Sequence, residues 1–129
     1  MPSPPDRAAI HSAFHRAVNM SADEIEAWLE TEESRSVGQT KPGAAESIGR
    51  ASARRIAAIL RTPGAELDDE DYAHMRKVAG FVARHRAQEP ANIVTSRWRW
   101  SLMNWGFDPL KCEADRLSEA ANWGKGRGD

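Results

Sequence analysis

The segment from Leu67 to Pro90 constrains the fold more than any other part of the chain. Asp68 is placed as a helix cap, and Asp69, Glu70 and Asp71 follow where a helix presents its positive end. Tyr72, Met75, Val78, Ala79 and Val82 recur at the helical period, and Arg84, His85 and Arg86 fall at the negative end before Glu89-Pro90 stops the run. A segment that is apolar along one stripe must lay that stripe against other elements. The remaining segments carry the same period and no strand-type alternation.

Upstream, Ile10, Phe14 and Val18 make one face of a helix that starts near Asp6. Ser21-Ala22-Asp23-Glu24 matches a capping box, with Met20 placed to staple onto Ile25. The helix behind it buries Ile25, Trp28 and Leu29. Residues 33–46 read as a loop broken by Gly38, Pro42 and Gly43. A further helix is expected from Ser47 to Arg61, its inner stripe Ile48, Ser52, Ile56, Ile59 and Leu60, closed by Thr62-Pro63-Gly64. Ser96 caps a short tryptophan-rich helix that ends at Gly106, in which Trp98, Leu102 and Trp105 share a face. A last short helix is expected over 110–121.

These segments predict an all-α fold: a compact bundle of four main helices plus the short Trp-rich helix. The expected core is Ile10, Phe14, Ile25, Trp28, Leu29, Ile56, Leu60, Met75, Val78, Val82, Trp98, Leu102 and Trp105. Residues 1–5 are expected to be a flexible lead-in, 6–111 a single helical domain and 112–129 a variable, partly disordered tail. No apolar run approaches the ~20 residues that span a bilayer. The start MPSPPDRAA lacks an apolar region behind basic residues, so a cytoplasmic protein without membrane contact is expected. One cysteine, Cys112, excludes an internal disulfide framework and a cysteine-rich zinc site.

Net charge is −1, so any function in charge must come from its distribution. Residues 19–34 hold six acids and no base, and 66–73 hold five acids. Residues 35–65 hold six bases against Glu46, and 74–107 six bases against Glu89. Such blocks either pair with each other or build one basic face. Arg50, Arg54, Arg55 and Arg61, with Arg35 and Lys41 in the loop before them, are the leading candidates for phosphate contact, because guanidinium forks suit phosphate oxygens. Arg50, Arg54 and Arg61 are expected on one open side of their helix. Arg97-Trp98-Arg99-Trp100 interleaves bases with aromatics, a pattern that serves either base stacking or a core.

Other chemistry is weaker. His11 and His15 stand one turn apart without further ligands, so no metal site is expected. His74 and His85 lie roughly on one face, and a general base there needs a nucleophile beside it. Gly38 and Gly43 have the spacing of a phosphate loop, but Ala44-Ala45 stand where lysine and serine belong. The acidic run 68–71 has no calcium-loop pattern. No cofactor and no catalytic set are expected.

The stretches VNMSADEIEAWLETEESRSVGQ, RRIAAILR, DDEDYAHMRKVAGFVARH and SRWRWSLMNWGFDPLK resemble a bacterial domain-of-unknown-function family of small proteins. The resemblance covers residues 10–111, and its most distinctive part is the pattern SRWRxSLMNWGxDP. Some members carry a DNA-binding label, so the resemblance implies DNA as a partner without assigning an activity, cofactor or site. Two functions lead, ahead of a third, a small enzyme, for which no motif stands in the sequence. One is non-enzymatic DNA binding through the arginine-rich helix and loop; the other is protein interaction or self-association with tryptophan anchors. Convergence of arginines 50, 54, 61, 76 and 84 on one face favours the first; carboxylates paired to each of them favour the second.

Overall fold

In the computed structural model, which describes residues 4–111, the chain runs through helices α1 (Pro4–Ala17), α2 (Ala22–Leu29), α3 (Glu32–Arg35), α4 (Ile48–Leu60), α5 (Asp69–Arg86) and α6 (Arg97–Asn104). A single 3-10 turn, Gly64–Glu66, sits between α4 and α5, and no strand occurs among the described residues. The all-α bundle with a short Trp-rich helix is therefore what forms.

Local signals set the helix starts. The Ser21 hydroxyl accepts from Glu24 N at 3.1 Å, while the Glu24 carboxylate accepts from Ser21 N at 2.8 Å. Asp68 and Asp71 form the same reciprocal pair at the head of α5. Ser47 and Ser96 cap α4 and α6 through the N–H of Arg50 and Arg99.

Two starts differ from expectation. Pro4 and Pro5 already belong to the first turn of α1, where the missing N–H groups would have had no helical partner. Pro4 and Pro5 of the expected 1–5 lead-in are thus helical, and residues 1–3 lie outside the described residues. The expected loop begins with α3, because the Thr31 hydroxyl accepts from Ser34 N at 3.1 Å. The helix expected over 110–121 and the tail from 112 lie largely outside the described residues.

α1 packs on α5 and α2 on α4, and α6 closes over α2, α3, α4 and α5. Phe14, Ile25, Leu29, Ile56, Met75, Val78 and Leu102 are sealed from solvent at the centre. Trp28, Leu60 and Trp98, expected inside, are half-buried against that centre, while Met20, Val37, Leu67, Met103 and Phe107 join the buried set. The segment after α6 is stitched to the α1–α2 corner. Gly106 O accepts from the N–H of Asn19 and Met20, and the Asn19 amide bonds both N and O of Asp108.

Candidate functional site

The acidic blocks lie on helices beside the basic ones, and most of the expected phosphate-binding arginines meet them. Arg50 is the clearest departure. It is 7% exposed, donates through Nη1 to Leu29 O at 2.8 Å and Ser34 Oγ at 2.9 Å, and stands 3.6 Å from Glu46. It does not share the open side of α4. Arg54 binds both oxygens of Glu46, Arg55 binds Asp71, and Arg61 reaches Asp23 and Glu26 on α2. Arg35 bonds Glu32 and the carbonyl of Glu30. Arg97 donates to Ser36 O, and Arg99 holds Asp108 bidentately and Val94 O. Of the eight expected residues, Lys41 is the one without a partner among the described residues. The eight do not form one unneutralised surface.

A different set of cations remains open. Lys77 and Arg84 on α5, with Lys41, have no carboxylate partner among the described residues, and Arg76 stands exposed nearby in sequence. Lys41, Lys77 and Arg84 border two adjoining clefts between α4 and α5, of about 470 and 480 Å³. The clefts share Ile48, Lys77 and Trp105. The Arg84 guanidinium folds back across Gly80, 3.1 Å from where a β-carbon would sit there. The signal for this face was present in the sequence: His74, Lys77, Phe81, Arg84 and His85 recur at offsets of three and four, beside the core stripe of the same helix.

A ladder of near-parallel rings runs along the groove. His74 stacks 6.2 Å from Trp105, Trp105 stacks 4.3 Å from Phe81, Phe81 stacks 5.0 Å from His85, and His85 lies 6.4 Å from Trp98. Trp28 and Trp98 spend their indole N–H groups inside the fold, on Asn104 Oδ1 and His85 O. Trp105 does not. It is 6% exposed and lines both clefts, yet its N–H has no acceptor among the described residues. His85 Nε2 is also buried without a partner. A buried imidazole nitrogen normally finds one, whereas the Trp105 N–H is not sealed and stays open to solvent.

His74 Nε2 lies 2.8 Å from Ser52 Oγ, so the structure puts a hydroxyl beside a histidine. Burial chiefly, then the charges of Arg55 and Lys77 against the opposing Asp71, push His74 down to about 4. An imidazole that holds a proton so weakly is a poor base at neutral pH, and Ser52 is buried in mid-helix. The pair positions the groove wall.

It also sets a pH dependence. Between 6.5, the ordinary histidine value, and about 4, the unfolded chain binds a proton that folded His74 refuses. Stability is therefore full above pH 6.5 and falls as pH drops toward 4; burial lowers His15 and His85 as well, with the same sign. At this half-buried site, screening reduces the His74 contribution to on the order of 1 kcal/mol. The urea midpoint should fall across that window, and His74→Gln should flatten the fall. An unchanged slope would assign the pH effect elsewhere.

His11 and His15 face each other at 4.3 Å on α1, and no group of three metal-ligating residues gathers among the described residues. Cys112 lies outside them. Among the described residues Val94 is the large apolar side chain left exposed, and Trp28, Trp98 and Trp100 are partly buried. No described helix is long and apolar enough to cross a membrane.

Fold and groove together define an all-α protein with Lys41, Lys77 and Arg84 bordering a ring-lined concavity. The chain belongs to the family described as Protein of unknown function (DUF3140), which matches residues 13–103. That span runs from α1 into α6 and stops just before Asn104, Trp105 and Gly106. No curated protein and no solved structure matches the chain.

Proposed function

We propose that this protein is a non-enzymatic nucleic-acid-binding module, and that its contact surface is the α4–α5 groove rather than the arginine helix alone. The observation that carries this reading is the placement of Lys41, Lys77 and Arg84 around one concavity with no carboxylate partner. In a chain of net charge −1, Arg7, Arg35, Arg50, Arg54, Arg55, Arg61 and Arg99 are ion-paired to neighbouring acids, and Arg16, Arg86 and Arg97 lie against neutral groups away from the clefts. Cations left unpaired along a groove concentrate positive potential where a polyanion would run. Glu46 is the acid on the groove wall, and Arg50 and Arg54 already occupy it. Arg54, Arg55 and Arg61 sit in partly exposed pairs, which are worth little. Arg55 lines one of the clefts and can exchange its carboxylate for a phosphate there.

Fluorescence anisotropy with a labelled oligonucleotide, titrated at several salt concentrations, tests the proposal. With three phosphate contacts, log affinity should fall against log salt with a slope of about −2 to −3. Lys77→Gln should weaken binding of every sequence and reduce the slope by about one unit. The melting temperature should not change, since Lys77 has no partner to lose. No binding at low salt, or affinity flat across salt, rejects the proposal.

A further inference from the structure

We infer that the groove takes a single strand, and that its cleft of about 480 Å³ seats one unpaired base; this rests on the nucleic-acid reading above. The shape argues first. A protein reads a duplex by inserting something convex, usually a helix, into the major groove. Here the open cations border a concavity, so the ligand must be the part that protrudes. A splayed base on a single strand does so, while stacked and paired bases do not.

The cleft's own chemistry argues second. Phe81 and Trp105 line it with ring surface, and its volume falls in the usual range for small-ligand sites. Trp105 offers an N–H without an acceptor, although nine-tenths of the residue is buried. His85 lines the same cleft with ring surface while its Nε2 is sealed beneath it, and neither the Ser101 nor the Gln39 side chain has a partner among the described residues. A flat ring with in-plane acceptors and donors matches that set, and a nucleobase is such a ring. Lys77 borders both clefts, so the phosphate attached to a seated base can lie against it while the strand continues toward Lys41.

The experiment compares a labelled single strand of about twelve nucleotides with the duplex of the same sequence, on the full chain at low salt. The strand should bind at least about tenfold tighter than the duplex. Trp105→Phe keeps a ring but removes the N–H, and should weaken strand binding about three- to tenfold while sparing the weaker duplex binding. Ser101→Leu, which places bulk at the cleft wall, should do the same and serves if Trp105→Phe does not fold. Melting curves confirm that the compared variants are folded. A duplex bound as tightly as the strand, or a strand affinity that neither variant changes, overturns this inference and leaves the nucleic-acid reading standing. Failure of both forms to bind overturns both.

Discussion

Asn104→Ala should lower the unfolding free energy by about 3 kcal/mol or more, a large share of what holds a small domain together. Asn104 is 1% exposed, and its side chain joins three helices. Oδ1 accepts from Trp28 Nε1 at 2.7 Å and from Ser34 Oγ at 2.6 Å, while Nδ2 donates to Ser34 O at 3.2 Å. Ser34 Oγ in turn accepts from Arg50 Nη1. Truncation leaves an indole N–H, a hydroxyl and a carbonyl without their partner. Each orphan costs about 1–3 kcal/mol where water cannot reach it, and the costs overlap within one network. Urea unfolding measures the loss, with Gln39→Ala on the exposed loop as a variant that should lie within about 0.5 kcal/mol of the parent. A loss below about 1 kcal/mol for Asn104→Ala would mean that water or a rearranged Ser34 replaces the amide.

This network shows where sequence reading stops. Helix periods and caps are local properties, and they located the starts of α2, α4, α5 and α6 to within a residue or two. The burial of Arg50 is not local. Its guanidinium is drawn inward by Leu29 O and Ser34 Oγ, which lie 21 and 16 residues away in the chain. Ser34 occupies that place because Thr31 starts α3, a single turn too short to show periodicity. The helix wheel alone put Arg50 with Arg54 and Arg61, although Gly49, Ser52 and Ala53 beside it are buried. The candidate site was half legible for the same reason. His74, His85 and the R-W-R-W run stood out as residue types, while Lys77, Phe81 and Arg84 acquired meaning from the α6 rings packed beside them. The basic blocks were visible, but which of their members stay unpaired depends on how acidic α2 and the head of α5 dock against α4.

Gly106→Ala should cost about 2–4 kcal/mol and lower the melting temperature by about 10 °C, while Gly43→Ala should cost only about 1–2 kcal/mol. Both glycines hold positive φ, at +86° and +80°, so both substitutions force an L residue into the left-handed region. They differ in surroundings. Nothing lies within 4 Å of a β-carbon at Gly43, whereas at Gly106 it would meet Val18 Cγ1 at 3.2 Å, Val18 Cγ2 at 3.3 Å and Ile56 Cγ2 at 3.5 Å. Val18 is a stiff, buried, branched side chain, and the Gly106 carbonyl holds the N–H groups of Asn19 and Met20. Relief by movement therefore pulls on the stitch between α6 and the α1–α2 corner. Equal losses for the two variants would show that this corner yields freely. Residues 104–108 then divide by role. Asn104, Gly106 and Asp108 are explained by holding the fold, so a recurring pattern around them speaks for structure. Trp105 alone turns an unspent N–H toward the groove residues, which is why folded Gly106→Ala protein should bind oligonucleotide like the parent and Trp105→Phe should not.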